Sequence, residues 1–199
     1  MLTIFHVPRT RSQRVVWLAE EMGVPYELKL EQFGQPSPEF LTANPSGAFP
    51  AIRDGEVGMG ESTAIMQYVM DAYGPTPLSL KHGDDRYADY LQFLTFGEAS
   101  MAAFLNPTLM TRFMAPDDQK QNFTVEASKN LFRGRLKSLD AQLEKGDHMA
   151  GDFTAADISV GYALGIGEMM GLDADYSPKL KDYRARLQAR PAYQRAVAK

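Results

Sequence analysis

Cysteine does not occur anywhere in the 199 residues of this chain. Its absence excludes disulfide bonds, cysteine-ligated zinc sites and catalysis by a protein thiol. Any sulfur chemistry must therefore come from a bound thiol. Histidine is scarce as well, since the chain has only three, His6, His82 and His148, which lie far apart in the sequence. A histidine-rich metal site is therefore not expected, and we predict that no metal is bound.

Long apolar runs and an excess of positive charge are also missing. No uninterrupted apolar stretch reaches membrane-spanning length, so an integral membrane protein is not expected. The basic residues near the N-terminus follow its apolar residues, which is the reverse of a secretory signal, and this order predicts a cytoplasmic protein. The net charge of −4 gives no overall attraction to nucleic acid or to an anionic membrane, and neither is predicted as a partner.

The first 75 residues alternate between strand-like and helix-like segments. The strand-like segments are 2–6, 26–30, 49–53 and 56–59, and the helix-like segments are 12–22, a short piece near 38–44, and 61–73. Between the last two strands, Asp54–Gly55 predicts a type I′ hairpin turn. The order β-α-β-α-β-β-α, with one parallel pair joined by a helix, is typical of an α/β domain of thioredoxin-like topology.

The second half of the chain has no comparable strand signal. Residues 74–82 indicate a stiff linker that begins Gly-Pro-Thr-Pro. Helices are predicted at roughly 84–113, 117–145, 155–170 and 178–198. Pro116 and the two aspartates after it favour a helix start, because acidic side chains stabilise the positive N-terminal end of a helix. The sequence thus predicts an α/β domain over 1–75 and an all-α C-terminal domain over 83–199.

Two short motifs in the first domain are candidates for ligand binding. Phe49–Pro50 opens the third strand. A cis bond there would leave the Phe49 backbone available to a peptide-like ligand, whereas a trans proline at a strand start is the commoner case. Glu61–Ser62–Thr63 begins a helix, where hydroxyl and N–H groups suit a carboxylate and Glu61 suits an ammonium group. An α-amino acid would fit this pattern, and simple N-capping by Ser62 is the alternative.

A third motif, Thr10–Arg11–Ser12, lies between the first strand and the first helix. Hydroxyl groups at a helix N-terminus stabilise a bound thiolate over the thiol. A free thiol has a pKa of about 8.5, and lowering this pKa by roughly two units requires about 2.7 kcal/mol. One charge-assisted hydrogen bond together with the helix dipole is enough to supply it. The alternative is helix capping by Ser12 or Thr10, with Arg11 in solvent.

Taken together, these motifs resemble the signature of the glutathione transferase family. Residues 44–52, Asn-Pro-Ser-Gly-Ala-Phe-Pro-Ala-Ile, followed by Glu-Ser at a helix start, are similar to the family's Asn-Pro-x-Gly-x-hydrophobic-Pro-x-hydrophobic and Glu-Ser motifs. Residues 12–23 resemble its first helix. Residues 151–158 resemble the N-capping box of its second domain, in which Thr154 and Asp157 would satisfy the helix-start amides. The resemblance covers nearly the whole chain.

The resemblance implies that glutathione binds as a co-substrate along the edge of the first domain. Pro50 would then be cis, and the Phe49 backbone would pair with the cysteinyl part of glutathione. Ala48 would lie beside it, at a position where relatives often carry lysine or glutamine. Glu61 and Ser62 would hold the γ-glutamyl end.

Thr10 is the thiolate donor that the resemblance implies, with Arg11 adding positive potential and Ser12 as the alternative donor. Serine is the common residue at this position in relatives, and no tyrosine lies near the end of the first strand, which disfavours the tyrosine-type classes. A small hydrophobic electrophile would bind between the two domains. The aromatic and methionine-rich segment 96–114 would supply part of that pocket, although most of its side chains are expected in the core or in dimer contacts.

We therefore predict a cytoplasmic, homodimeric glutathione S-transferase with a role in detoxification. Conjugation, dehalogenation, peroxide reduction and lyase-type ether cleavage all stay open as reactions. A non-catalytic binding or regulatory protein that kept the transferase fold is the alternative. A thioredoxin-type oxidoreductase that uses its own cysteines is excluded, because the chain has none.

Overall fold

The computed structural model describes residues 1–199. The strands are β1 (Leu2–His6), β2 (Tyr26–Leu30), β3 (Ala51–Asp54) and β4 (Val57–Gly60). The helices are α1 (Ser12–Met22), α2 (Pro38–Ala43), α3 (Ser62–Ala72), α4 (Tyr87–Phe96), α5 (Asn106–Met114), α6 (Phe123–Leu143), α7 (Ala155–Met169), α8 (Pro178–Gln188) and α9 (Pro191–Val197). No helix has both the length and the apolar character needed to cross a membrane.

A four-stranded mixed sheet of order β2-β1-β3-β4 forms the centre of the first unit. β1 runs parallel to β2 and antiparallel to β3, and β3 is antiparallel to β4. All five residues of β1 are buried, as expected of a central strand covered on both faces. With α1 between the parallel strands and α3 after the hairpin, the predicted thioredoxin-like order is confirmed.

The turn between β3 and β4 differs from the prediction. Asp54 pairs with Val57, so the two central residues of the turn are Gly55 and Glu56. Of these two residues only Gly55 has a positive φ, of 59°. A type I′ turn needs a positive φ at both central positions, whereas glycine at the first position alone is the pattern of a type II′ turn. The predicted type I′ turn centred on Asp54–Gly55 is therefore wrong.

By packing, the chain divides into one unit of Met1–Ser79 with Gln188–Lys199 and another of Leu80–Leu187. The second unit consists of helices and turns, which confirms the predicted all-α architecture. The domain limits 1–75 and 83–199 stay predictions. In this division the last helix, α9, is grouped with the first unit, although the sequence analysis placed it at the end of the second domain.

Contacts with α1 hold α9 in the first unit. The Trp17 and Tyr193 rings meet edge to face with their centroids 4.9 Å apart. Arg190 donates two hydrogen bonds to the Glu21 carboxylate, at 2.6 and 2.9 Å. Because α9 has only seven residues, too few for an independently stable helix, these contacts are what order it.

The long helices predicted for the second unit are interrupted. After α4 the chain forms a π-helical turn at Gly97–Ala102 and a 3₁₀ turn before α5. Gly97 lies against α7 so closely that a Cβ atom there would be 2.5 Å from the Ser159 backbone and hydroxyl. The predicted helix over 178–198 also breaks, because α9 restarts at Pro191.

The start of α6 is another correction. Asp117–Gln119 forms only one 3₁₀ turn, so the predicted helix start at Pro116 is wrong for the α-helix. The helix begins at Phe123 instead, where the Asn122 side chain accepts a hydrogen bond from the Val125 N–H at 3.0 Å.

The capping box of α7 is present as predicted. The Thr154 hydroxyl accepts from the Ala156 N–H at 3.3 Å, and the Asp157 carboxylate accepts from the Thr154 N–H at 2.8 Å. Asp157 also accepts hydrogen bonds from the Met149 N–H and the Tyr183 hydroxyl, so this buried carboxylate ties α7 to the turn before it and to α8.

Candidate functional site

Strand pairing brings the three sequence motifs to one edge of the sheet. Phe5 pairs with Ala51, so the loop that leaves β1 lies beside the loop that enters β3. Ala51 also pairs with Gly60, so the chain that leaves β4 for α3 starts at the same edge. The motifs 10–12, 48–50 and 61–62 therefore meet there.

The Phe49–Pro50 peptide bond is cis, which confirms that expectation. The Phe49 backbone forms no hydrogen bond within the chain. Its ring is half-buried and packs on Phe40 with the ring centroids 4.4 Å apart. Phe49 therefore has a fixed side chain and a backbone whose donor and acceptor are both available at the sheet edge.

The Asn44 side chain holds the loop that carries Phe49. Its Nδ2 donates to the Ala48 carbonyl at 2.7 Å and lies 3.5 Å from the Pro50 carbonyl, and its Oδ1 accepts from the Ser46 hydroxyl at 2.9 Å. Asn44 packs directly on Gly60, where a Cβ atom would be 2.6 Å from Nδ2. The exposed Ala48 is thus placed by its backbone, and its carbonyl is already bonded to Asn44.

Glu61 occupies the N-cap position of α3 in an unusual backbone conformation, with φ of 67° and ψ of 102°. A positive φ at a residue other than glycine costs on the order of 1–3 kcal/mol, and such residues cluster at functional sites. The Glu61 side chain is exposed and makes no capping hydrogen bond. Ser62 is the first helical residue rather than the cap.

Ser62 lies against a buried cation that the sequence analysis missed. Arg14 of α1 is fully buried, and its guanidinium donates to the Ser62 hydroxyl oxygen at 3.0 Å. Because the oxygen accepts this bond, the Ser62 O–H can still donate to a ligand. The buried charge adds to the positive end of α3, so this corner favours an anion. A signal was present: Arg14 precedes Trp17 and Leu18 by three and four residues, on the buried stripe of the helix.

Thr10 and Ser12 are in direct contact, but their surroundings differ. The Ser12 hydroxyl is fully buried and lies 2.7 Å from His6 Nδ1, 2.8 Å from Thr10 Oγ1 and 3.1 Å from the Val7 carbonyl oxygen. It also accepts a hydrogen bond from the Val7 N–H at 3.2 Å. Thr10 is half-buried, and its hydroxyl donates a hydrogen bond to the same Val7 carbonyl oxygen at 2.8 Å. Arg11 is half-buried at the N-cap position of α1.

His6 is the second residue of this edge that the sequence analysis missed as part of a site. It is the last residue of β1 and is only 1% exposed. Burial lowers the pKa of His6 to about 4, so the imidazole is neutral at physiological pH. The sequence gave no indication of its contact with Ser12, because a histidine at the end of a predicted strand is not distinguished by any pattern from the other residues of that strand.

The methionine- and aromatic-rich segment of the second unit is divided between core and surface. Met101 and Leu105 are buried, and the expectation that most of these side chains lie in the core or in dimer contacts stays a prediction. Met110, Phe113 and Met114 of α5 are exposed by 60%, 67% and 71%. The exposed members form one face of a single short helix.

Comparisons with known proteins agree on a single family. Residues 5–77 match the family model described as glutathione S-transferase, N-terminal domain. Glutathione S-transferase 1 of Zea mays is 31% identical to this chain, over 90% of the chain and 87% of that protein. Glutathione S-transferase 3 of Schizosaccharomyces pombe is 28% identical, over 100% of the chain and 88% of that protein. A solved structure of a sphingomonad glutathione S-transferase complexed with glutathione is similar with a TM-score of 0.83 and 26% identity, over 98% of this chain and 97% of that one.

Proposed function

This chain belongs to the glutathione S-transferase family, and from that premise we propose that the sheet edge with Thr10, Phe49 and Ser62 binds glutathione and ionises its thiol. The observation that carries the proposal is the fully buried Arg14 guanidinium on the Ser62 hydroxyl, 3.0 Å away, at the start of α3. A buried positive charge at a helix N-terminus is a site for a carboxylate, and glutathione has an α-amino acid carboxylate at its γ-glutamyl end.

The γ-glutamyl group would be held from both sides of its α-carbon. Its carboxylate receives the Ser62 O–H and the first N–H groups of α3, with the Arg14 charge behind them. Its ammonium group pairs with the exposed Glu61 carboxylate. The strained Glu61 backbone, with φ of 67°, supports this assignment, since such conformations are kept where a side chain must be aimed.

The cysteinyl part of glutathione would add to the sheet edge as a short extended strand. Its N–H and C=O groups pair with the Phe49 carbonyl and N–H, which have no partner within the chain. Support comes from Asn44, which keeps the loop in place. Ala48 contributes through its backbone and shape.

Thr10 would stabilise the thiolate, and Arg11 would add positive potential. The sulfur then lies at the N-terminal end of α1, where the helix dipole also favours a negative charge. We assign the role to Thr10 because its hydroxyl is half-buried, whereas that of Ser12 is fully buried among polar atoms. To donate to sulfur, the Thr10 O–H turns away from the Val7 carbonyl oxygen, to which it donates at 2.8 Å in the absence of ligand. The bound thiol loses its proton to solvent, and the sulfur attacks the electrophile. A carbon–sulfur bond forms, and a leaving group departs or the attacked molecule takes up a proton.

The electrophile that fits this proposal is a small hydrophobic molecule. The family also supports a homodimer in the cytoplasm, and we include both in the proposal. Conjugation, dehalogenation, peroxide reduction and ether cleavage use the same thiolate, so a panel of model electrophiles with glutathione is the measurement that separates them.

The test compares Thr10→Val, which keeps the branched shape but has no hydroxyl, with Thr10→Ser, which keeps the hydroxyl. We expect Thr10→Val to lower kcat roughly tenfold or more and to raise the pKa of the bound thiol by about one unit, because one charge-assisted hydrogen bond is lost. Glutathione affinity, measured by calorimetry, should change little. Thr10→Ser should keep most activity.

Other outcomes have defined meanings. Unchanged turnover in Thr10→Val would assign the donor role to Ser12. Glutathione binding without turnover and without a lowered thiol pKa in the unmodified protein would point to the non-catalytic alternative. No rise in melting temperature with saturating glutathione would overturn the proposed site.

A further inference from the structure

The turn that follows β1 places an arginine directly before Thr10. The Thr10 N–H donates to the Val7 carbonyl oxygen at 3.2 Å, which closes a four-residue turn with Pro8 and Arg9 at its centre. Arg9 has a φ of 65°, and proline followed by a residue of positive φ is the pattern of a type II turn. Glycine adopts this conformation without strain and arginine does not. The requirements of the turn therefore do not account for an arginine at this position.

Arg9 is also the one arginine whose side chain the fold leaves unused. The chain has twelve arginines, and the other eleven each make a hydrogen bond, an ion pair or a ring contact within the protein. The Arg9 side chain is exposed and makes none of these contacts. In a chain with a net charge of −4, this cation is available to an anion from outside the protein.

Acidic side chains in the loops of this sheet edge do not compete for the arginine. The loops 7–11 and 44–50 contain no aspartate or glutamate. Glu31, which follows β2, already accepts hydrogen bonds from the Ser37 N–H at 2.8 Å and from the Ser37 hydroxyl at 2.5 Å. Glu61 follows β4, so β3 lies between it and the turn after β1. The surroundings of the proposed sulfur position therefore favour a negative charge on the β1 side.

Any electrophile that reacts with a sulfur held at Thr10 comes within reach of Arg9. The Cα atoms of the two residues are about 3.8 Å apart, because they are neighbours in the chain. The long arginine side chain ends in a planar group of N–H donors that matches the geometry of a carboxylate.

We propose that Arg9 is a specificity residue that binds an anionic group on the electrophile, so that the preferred substrates are hydrophobic electrophiles that carry a carboxylate. The inference rests on the proposed function and narrows the class of electrophile that this site takes. It gives the strained backbone of Arg9 a reason, since the conformation is kept where the side chain contacts a substrate.

The first test uses two electrophiles that share a ring and a leaving group, 4-chloro-3,5-dinitrobenzoate and its uncharged amide. In both reactions the sulfur forms a bond to the ring carbon, chloride departs with the electron pair of the carbon–chlorine bond, and the thiol proton passes to solvent. Each enzymatic rate is divided by the uncatalysed rate with glutathione, which corrects for the different reactivities of the two compounds.

We expect Arg9→Gln to lower kcat/KM for the benzoate roughly tenfold and to leave that for the amide within about twofold, because one charge-assisted hydrogen bond to the carboxylate is lost. Arg9→Lys keeps the charge without the planar donor group and should give an intermediate value. If the benzoate and the amide lost activity in the same proportion, Arg9 would have no role in recognising the carboxylate, and the inference would be wrong.

Lys199→Gln is the matched control, because it removes one positive charge near the other end of α1, where Lys199 Nζ lies 3.8 Å from the Glu20 carboxylate. It should leave the preference for the benzoate unchanged. An equal loss of preference in this variant would attribute the effect to net charge and refute a specific role for Arg9.

A second measurement uses the unmodified enzyme and does not depend on whether any variant folds. Raising the salt concentration should lower kcat/KM for the benzoate and leave that for the amide nearly unchanged, because salt screens the attraction between an exposed cation and a carboxylate. The same salt response for both compounds would contradict the inference.

The glycyl carboxylate of glutathione is the competing anion, and the same variant distinguishes it. If Arg9→Gln weakened the binding of glutathione but not that of its glycinamide analogue, Arg9 would bind the co-substrate, and the assignment to the electrophile would be overturned. Absence of glutathione binding in the unmodified protein would instead overturn the proposed function, so the two failures are distinguishable.

Discussion

At the scale of single residues, surroundings distinguish side chains of the same chemical type. Thr10 and Ser12 both carry hydroxyls, but four polar atoms surround that of Ser12 within the protein. Arg14 likewise differs from the exposed arginines, because it is completely buried and donates a hydrogen bond to Ser62. The role of each residue follows from which of its hydrogen-bonding groups the fold has already used.

Arg14 should matter for binding glutathione and not for the chemistry of sulfur. Arg14→Met removes the buried charge and the donor to Ser62, so we expect glutathione to bind about ten- to a hundredfold more weakly, because a hydrogen bond to a charged group is worth about 1.5–3 kcal/mol. The pKa of the bound thiol should stay the same. Calorimetry and the pH dependence of turnover at saturating glutathione measure the two effects.

Cysteinylglycine, which lacks the γ-glutamyl group, is the matched control for this prediction. Its affinity should be the same in the Arg14→Met and unmodified enzymes, because the contact in question is absent from the ligand. Arg14→Lys keeps the charge without the planar donor geometry and should fall between the two. Equal weakening for both ligands would show that Arg14 acts through general stability.

Residue-scale surroundings also explain what the sequence could reveal of the site. The loop motifs at Phe49–Pro50 and Glu61–Ser62 were recognisable because their residue types and spacing are local. The contacts of Arg14 and His6 were not recognisable from the sequence. Arg14 reaches a residue 48 positions away, and the tie of His6 to Ser12 depends on how the loop between them turns.

At the scale of elements, the site loop depends on close packing between the Asn44 turn and β4. Asn44 bonds the backbone of the loop on one side and touches the Gly60 backbone on the other. The glycine is needed because no side-chain atom fits between them. The loop that presents Phe49 is therefore held from a neighbouring strand and not only by its own turn residues.

Gly60→Ala should weaken glutathione binding. A Cβ atom 2.6 Å from Asn44 Nδ2 would displace that side chain and break its bond to the Ala48 carbonyl. We expect KM for glutathione to rise roughly tenfold, which corresponds to about 1.4 kcal/mol, the upper range for one hydrogen bond. The thiol pKa in the saturated enzyme should be unaffected. Steady-state kinetics over a range of glutathione concentrations measures both.

Gly134→Ala provides the control, because a Cβ atom at Gly134 in α6 would meet nothing within 4 Å. It should leave KM unchanged and, as a glycine-to-alanine change inside a helix, raise stability by up to about 1 kcal/mol. If Gly60→Ala bound glutathione normally, Asn44 could not be what keeps the loop in place.

Element boundaries were predictable where several signals agreed. β1, α1 and β2 have the predicted bounds, and a glycine or proline lies close to one end of each: Pro8 after β1, Gly23 after α1 and Pro25 before β2. The start of α6 was wrong because two capping signals compete within a few residues. Pro116 and its aspartates form only a 3₁₀ turn, and Asn122 makes the cap that starts the helix. Sequence alone does not show which cap the packed helix uses.

At the scale of the whole molecule, the two chain ends meet in one packing unit. α9 closes over α1, and Trp17, the only tryptophan, is 1% exposed there. The sequence predicted one helix over 178–198 at this end of the chain, but not that its last part would pack on the first helix. Trp17 and Tyr193 are far apart in the sequence, so no local pattern indicates that their rings are in contact.

Removing α9 should destabilise the first unit. A stop codon in place of Arg190 removes residues 190–199. This truncation exposes Trp17 and removes both the Tyr193 ring and the ion pair between Arg190 and Glu21. We expect the free energy of unfolding to fall by about 2–3 kcal/mol, mostly from lost apolar burial. The tryptophan fluorescence should shift to the red. Chemical denaturation followed by fluorescence measures both quantities.

A shorter deletion that removes only Ala198 and Lys199, beyond the end of α9, is the matched control and should leave both quantities nearly unchanged. Equal effects of the two deletions would contradict the role given to the contacts of α9 with α1.

In the site proposed here, the backbone conformation of Glu61 opposes stability to function at one position. Glycine would adopt a φ of 67° without strain, so it is the residue that folding alone would favour there. Only a side chain with a carboxylate can meet an ammonium group. Directed evolution that selects for heat resistance in the absence of substrate would thus favour glycine at this position. The selected proteins would be more stable and would lack the carboxylate proposed to bind glutathione.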